Sequence, residues 1–483
     1  MTTALNNVRQ VCWDMFLADC TENIHTKTHS PVRQNVALDC TEHWEALGVN
    51  YLGVVKTDAG CRLYYRARDP LFFRHYRNRF CIAESTDGIT FTRMKLDLHE
   101  YDGKRGNNIH FEESRPVDNF SIFPDENPDC PPDAKFKALS SLTTWLPDGQ
   151  SRAELLYYRS ADGLAFEKVG VLPVPGVFDS YNIVFWDRRA GMYRMYIRDF
   201  HTADGTRFPR PPREEDLSLV YRDVRLTTSR DFVHWTEPEM IRFSDGDLHT
   251  ELYTSMIFPY PRAEIYLGLP TRYSNRADGG VNFKYLPSWN GRRQEYIRTG
   301  SRLGTVFCDT GIMTSRDGLN FEKYNGAYMT TGPERAGNWY YEDGFFGYGF
   351  AETPDGFGGH EISLYRPEGW FDGNPRIVRY TVRMDGFCSW HADGSGGSLL
   401  THPVTFTGTS MEINFATSSL GGVRIQLCGT DGCPIGGYDS GILFGDSISR
   451  PVEFENPLGT LNGVPVRIRF ELADADLYSF RFQ

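Results

Sequence analysis

No apolar run in this 483-residue chain approaches the roughly 20 residues needed to cross a bilayer. Near the start, Arg9 precedes Val11-Cys12-Trp13, but Asp14 and Asp19 interrupt any signal-peptide core, so no membrane partner and a cytoplasmic location are expected. The ten cysteines show no paired CxxC or Cys/His metal spacing. Free thiols are expected, including Cys428 and Cys433, which flank a glycine turn. Basic blocks are absent, and a net charge of −12 with a pI of about 5.5 argues against nucleic acid as a partner. The one HxxxH pair, His25 with His29, lacks the Glu of a zinc-hydrolase motif, and neither a Gly-x-Ser-x-Gly elbow nor a glycine-rich phosphate loop occurs. Helical periodicity is almost missing as well, which leaves an all-β chain.

What the chain does contain is a repeat. Ser85-Thr86-Asp87-Gly88-Ile89-Thr90-Phe91 returns as Ser160 to Phe166, as Ser229 to Trp235 and as Ser315 to Phe321, with Arg383 to Trp390 as a looser fifth copy. The copies recur every 68 to 86 residues, and a period of that size marks one supersecondary unit used several times. Asp-Gly accepts the positive φ of a tight hairpin, and the aromatic begins the returning strand. Each tag follows a strand-like run such as Arg79-Phe80-Cys81-Ile82-Ala83, so it should join the two outer strands of a small sheet. Five such sheets predict a five-bladed β-propeller, which hides most strand edges by radial repetition.

Residues 1–35 read as an arm that wraps the main domain, and 36–393 as the propeller. Gly394, Gly396 and Gly397 mark a linker, and residues 399–483 alternate apolar and polar with period two, as in Val423-Arg424-Ile425-Gln426-Leu427. That pattern predicts a C-terminal antiparallel β-sandwich. The Pro/Arg-rich segment 207–216 is a candidate rim loop.

In a propeller the first residues of the inner strands face a central funnel, and here they are acidic: Glu45, Asp118, Asp179, Glu251, and Glu342 with Asp343. A carboxylate ring serves either cleavage of a glycosidic bond or a hard cation. We take Glu45, Asp118, Asp179 and Glu251 as the catalytic candidates, with no cofactor required; a structural calcium in the channel is compatible with the same ring. Asn119, Asn182, Arg198, Tyr253, Arg272 and Glu342 are candidates for reading sugar hydroxyls, with Trp44 and Trp339 as stacking faces. The expected partner is a carbohydrate, and a homo-oligomer is compatible with the sequence.

Trp44-Glu45, Asn107-Asn108-Ile109, Asp118 to Pro128, Phe178-Asp179-Ser180-Tyr181-Asn182, Glu251-Leu252-Tyr253-Thr254 and Ala473 to Phe482 carry a further message. In these stretches the chain resembles the five-bladed glycosidases of families 32, 43, 68 and 117, and most of all bacterial proteins grouped with family 32. The resemblance implies a glycosidase acting on a terminal sugar, a furanoside included, with Glu45 as nucleophile or base, Glu251 as acid and Asp118 or Asp179 as stabiliser. The chain departs from family 32 in lacking its opening motif and in having no Arg-Asp-Pro in the second blade, so fructosidase specificity is not implied; Arg68-Asp69-Pro70 lies in the first. Two rivals remain open at this point: a carbohydrate-binding propeller without catalysis, and a sialidase-like hydrolase, which would need three clustered arginines and six blades.

Overall fold

The structure is a computed structural model that describes residues 2–70, 77–113, 117–147, 151–208, 210–288, 291–324, 326–341, 343–369 and 374–483. It is all-β, with 51% strand and 7% helix. The chain divides into two units, one of Pro31–Pro259 and Tyr266–Thr381, the other of Met1–Ser30, Tyr260–Ile265 and Val382–Gln483.

The larger unit is a succession of small antiparallel sheets. Gly48–Thr57, Gly60–Arg68 and Arg79–Ser85 build the first, with Thr92–Arg93 and Ile109–Phe111 on its outer strand. The second is Asp118–Pro124, Phe136–Trp145, Ser151–Ser160 and Glu167–Val171; the third is Ile183–Asp187, Met192–Thr202, Val220–Ser229 and Glu239–Met240. Two short sheets follow, Leu252–Thr254 with Thr271–Asn275 and Val306–Thr310, and Ile257–Pro259 with Tyr266–Gly268 and Met313–Ser315; because each strand of one continues a strand of the other along the chain, we count the two together as the fourth. The fifth is Ala351–Pro354, His360–Glu368 and Arg376–Arg383, and its last strand, Val32–Asp39, comes from the other end of the chain.

First strands pack side by side in chain order, the first sheet against the second, the second against the third and the third against the fourth. Tyr348, ahead of the fifth sheet, bridges in parallel to Gly53 of the first, where its backbone N–H donates to the Leu52 carbonyl at 2.8 Å. Gly53 is required there, because a Cβ would lie 2.9 Å from the Tyr181 hydroxyl.

The four close copies of the tag sit where expected, between third and fourth strands, and all are tied the same way. In the first, Gly88 N–H donates to Ser85 Oγ at 2.9 Å and Ile89 N–H to Asp87 Oδ1 at 2.8 Å. The same bonds recur at Ser160/Asp162, Ser229/Asp231 and Ser315/Asp317. The turns also lock sheet to sheet: Tyr64 donates to the Gly163 carbonyl at 3.1 Å, Tyr196 to that of Gly318 at 2.7 Å, and Tyr365 to that of Gly88. Gly163 has φ +75°, and a Cβ there would meet the Tyr64 hydroxyl at 2.8 Å. Gly163→Ala is therefore expected to lower stability by about 2 kcal/mol or more, measurable as a fall in the thermal midpoint.

The loose fifth copy is different. Asp385 is fully buried in the smaller unit, accepting from Tyr260 Oη at 2.6 Å, Arg262 Nε at 2.8 Å and Ser479 Oγ at 2.8 Å. The fifth sheet needs no such turn, since Val32–Asp39 supplies its last strand.

In the smaller unit two long strands, Met411–Cys428 and Arg467–Phe482, run antiparallel over nearly their whole length. The first thirty residues, expected as an arm around the main domain, belong here instead: Ala18–Glu22 pairs with Gly397–Thr401 and His25–Thr28 with Cys388–Ala392. The glycines expected as a linker accordingly lie between, or at the start of, two strands of one sheet. Trp390, Phe415, Phe470 and Phe480 centre the core. Among the described residues no helix is long and apolar enough to cross a membrane, and no disulfide joins any of the ten cysteines.

Candidate functional site

Three first strands begin with the same irregularity. Pairing to the second strand shifts register between Asn50 and Gly53, between Asp118 and Ser121, and between Leu252 and Thr254. Positive φ angles sit at Tyr51 (49°), Asn119 (60°) and Met256 (42°) beside these shifts, and at Phe178 (61°) ahead of the third sheet. Non-glycine residues rarely adopt such angles, and register breaks of this kind re-aim side chains near sites.

Three carboxylates stand at these points, each bound to a buried arginine. Asp118 Oδ1 accepts from Arg66 Nη1, from Asn78 Nδ2 at 3.3 Å and from the Asn119 N–H at 3.0 Å. Asp179 Oδ1 accepts from Arg198 Nη1 at 3.1 Å, and Glu251 Oε2 from Arg222 Nη1 at 2.5 Å. The side chains of the arginines are 1%, 2% and 4% exposed, those of the acids 41%, 47% and 19%. Each acid thus spends one oxygen on its arginine. The other oxygen has no protein partner among the described residues.

A chain of hydrogen bonds joins the three. Asn119 Nδ2 donates to the Ser180 carbonyl, Ser180 Oγ to the Tyr253 carbonyl, and Arg198 Nη2 to the Tyr253 carbonyl and to that of Leu252 at 3.3 Å. Asp118, Asp179 and Glu251 therefore lie within one or two residues of a single bonded network. Aromatic rings fill the space between: Tyr51 stacks on Tyr181 at 5.6 Å, and Tyr253 packs on Phe345 at 5.3 Å and meets the Tyr341 hydroxyl with its own.

Glu45 does not share this surface. It ends the short 3-10 turn His43–Glu45 ahead of the first strand, is fully buried, and has both oxygens engaged: Oε1 by Tyr65 Oη at 2.6 Å and Arg93 Nε at 3.1 Å, Oε2 by Arg93 Nη2 at 2.6 Å and the Glu42 N–H at 3.2 Å. Burial, with the Glu45 charge beside it, pushes the Tyr65 phenol and the Cys40 and Cys81 thiols well up. Glu45→Gln should cost about 3 kcal/mol of stability, as expected when one partner of a buried pair is removed. Turnover per folded molecule should change little, which a thermal scan run beside an activity assay would read.

The other expected binding residues separate similarly. Asn182 is spent on structure, donating to the carbonyls of Phe178 and Ser180 at 3.0 and 2.9 Å and accepting from the Arg198 N–H. Trp44 donates to Asn108 Oδ1 at 3.0 Å beside Glu45, and Trp339 Nε1 to the Gly332 carbonyl at 2.9 Å. Arg272 clamps Asp309 through two bonds of 2.7 Å and lines a separate cleft with Thr250, Leu252 and Lys323, in whose lining none of the three acids takes part. Asn119, Arg198 and Tyr253 remain with the acids. Glu342 lies outside the described residues; its neighbour Asp343 is buried against Arg366 at 2.7 Å. The carboxylates are each drawn to their own arginine, and among the described residues no three acidic, His or Cys side chains gather into a group that could hold a metal ion.

Sequence reasoning missed Arg66 and Arg222, which fix two of the acids. Arg66 stands in Tyr65-Arg66-Ala67-Arg68 and Arg222 in Tyr221-Arg222-Asp223, strand sequence whose charges look like ordinary surface residues. It also missed the insertion 276–305 within the fourth sheet, which carries the helix Arg292–Arg298 and the 3-10 turn Arg302–Gly304.

No family model matches the sequence, and no curated protein does. Solved structures similar to it include an N-acetylgalactosamine deacetylase from F. plautii in complex with blood group B trisaccharide, at 11% identity and a TM-score of 0.47 over 74% of this chain and 96% of that one. A glycosyl hydrolase from Bacteroides ovatus matches at 14% identity and 0.39, over 77% of this chain and 96% of that one. A Bombyx mori GH32 beta-fructofuranosidase matches at 11% identity and 0.38, over 94% of each chain. At these scores the likeness assigns no activity.

Proposed function

We propose that the larger unit is a five-bladed β-propeller, the smaller a β-sandwich, and the protein a glycoside hydrolase that removes a terminal sugar from a short oligosaccharide or glycoside. Supporting the propeller are the five successive sheets, the side-by-side first strands and a last sheet completed by Val32–Asp39. The observation that carries the chemistry is the trio Asp118, Asp179 and Glu251, each anchored to a buried arginine by one oxygen and open at the other.

Cleaving a glycosidic bond needs one carboxyl group to protonate the departing oxygen and one carboxylate at the anomeric centre, as nucleophile or as base for water. Glu251 is the most enclosed of the three, and its partner Arg222 rests on the Tyr273 ring, so we give it the proton-donor role through Oε1. Asp118 has three donors on Oδ1, which fix its carboxylate in place with Oδ2 free to act at the anomeric carbon. Asp179, with Arg198, positions hydroxyls and stabilises the developing positive charge.

The test is a panel of aryl glycosides and short oligosaccharides, furanosides included, with the Asp118→Asn variant alongside. Sugar released by the wild type and not by the variant supports the reading. If nothing is released while a sugar still raises the thermal midpoint, the protein is a carbohydrate-binding propeller instead.

A further inference from the structure

The site holds one more arginine than carboxylates among the described residues. Arg66, Arg198 and Arg222 each have an acid; Arg302 has none among those residues. Its described contacts are with phenols: Nη1 donates to Tyr273 Oη at 3.3 Å, and the guanidinium lies 5.3 Å from the centroid of Tyr341. Tyr273 is also the ring on which Arg222 rests, at 3.7 Å, and Arg222 holds Glu251. Tyr341 shares its hydroxyl contact with Tyr253, two residues from Glu251. Arg302, partly buried on a turn of the insertion 276–305, is therefore linked to the proposed proton donor through Tyr273 and Arg222.

A half-enclosed guanidinium without a carboxylate is a poor structural element and a good receptor. Among the described residues only phenols face its charge, and its planar fork fits a carboxylate through two parallel bonds. The phenols add hydroxyl donors suited to the same guest. A chain of net charge −12 has no long-range attraction for anions, so selection must be local.

We propose that Arg302 binds an anionic substituent of the substrate, and that the substrate is an acidic glycoside, a uronide or a sulfated sugar, over its neutral counterpart. This rests on the glycosidase reading above and names its substrate class.

The experiment pairs two readouts on wild type, Arg302→Gln and Arg302→Lys. Hydrolysis is measured on matched aryl glycosides, glucoside with glucuronide and galactoside with galacturonide in both anomers, together with 6-sulfated galactosides. Binding of glucuronate, galacturonate, galactose 6-sulfate, glucose and galactose is measured by calorimetry. The expected result is an acidic member preferred at least tenfold, lost in Arg302→Gln through KM with kcat little changed and partly kept in Arg302→Lys; uronide against sulfate preference identifies the anion. Hydrolysis of neutral sugars only, or equal losses on both members of a pair, overturns this inference and leaves the glycosidase standing. Acidic-sugar binding that depends on Arg302, without hydrolysis of any glycoside, overturns the glycosidase and leaves the anion site. Silence in both readouts overturns both.

Discussion

Glu251→Gln is expected to lower turnover of a glycoside with an unactivated leaving group by about 10³-fold, a loss in the range for removing a positioned acid. The substitution keeps shape and the Arg222 contact at Oε2 while removing the exchangeable proton at Oε1. A dinitrophenyl glycoside, whose leaving group departs without protonation, should lose far less. Asp118→Asn should fail on both substrates, because an amide neither attacks the anomeric carbon nor activates water. Comparing the two variants over the two leaving groups therefore assigns the roles. If Asp179→Asn rather than Glu251→Gln is rescued by the activated leaving group, the proton donor is Asp179.

Glu368→Gln should cost the larger unit about 3 kcal/mol at neutral pH, as for other buried ion pairs that lose one partner. Glu368 accepts from Arg33 Nε and Nη2 at 2.9 and 3.0 Å and from Tyr380 Oη at 2.6 Å, so it clips Val32–Asp39 onto the fifth sheet. Burial alone would raise its pKa, but the bonds from Arg33 and Tyr380 and the nearby Arg335 charge outweigh that and hold it at about 2 against an ordinary 4.5. A folded-state pKa below the unfolded one adds stability that is fully present above pH 4.5 and lost as pH falls toward 2. A pKa lowered from 4.5 to about 2 corresponds to roughly 3 to 4 kcal/mol. The gap in thermal midpoint between wild type and variant should be widest at about pH 6 to 7 and less than half as wide by about pH 3. A gap independent of pH would mean that packing, and not the charge, holds the clip.

How much of this was legible beforehand depends on the range of the interactions. The tags were readable because Ser, Asp and Gly act on their own backbone within four residues, so sequence spacing alone encodes the turn. Asp118, Asp179 and Glu251 could be picked out as acids at strand starts, and the structure brings them to one bonded network. Glu45 satisfied the same description and turned out sealed, since its partners Tyr65 and Arg93 lie 20 and 48 residues away and no local pattern announces them. Val32–Asp39 was hidden for the same reason at larger scale: its partner strand is more than three hundred residues downstream. The arginines that distinguish an open carboxylate from a closed one belong to neighbouring strands, and only the fold brings them together.

The pairing of strands from opposite ends of the sequence also bears on synthesis. Val32–Asp39 leaves the ribosome long before Arg376–Arg383, while His25–Thr28 and Ala18–Glu22 wait for strands beyond residue 387. Neither unit can be completed on a nascent chain until translation has reached these late strands. Through that interval the early strands present unpaired edges, which makes the growing chain a natural client for chaperones and any premature stop a source of aggregation rather than of a half-sized protein.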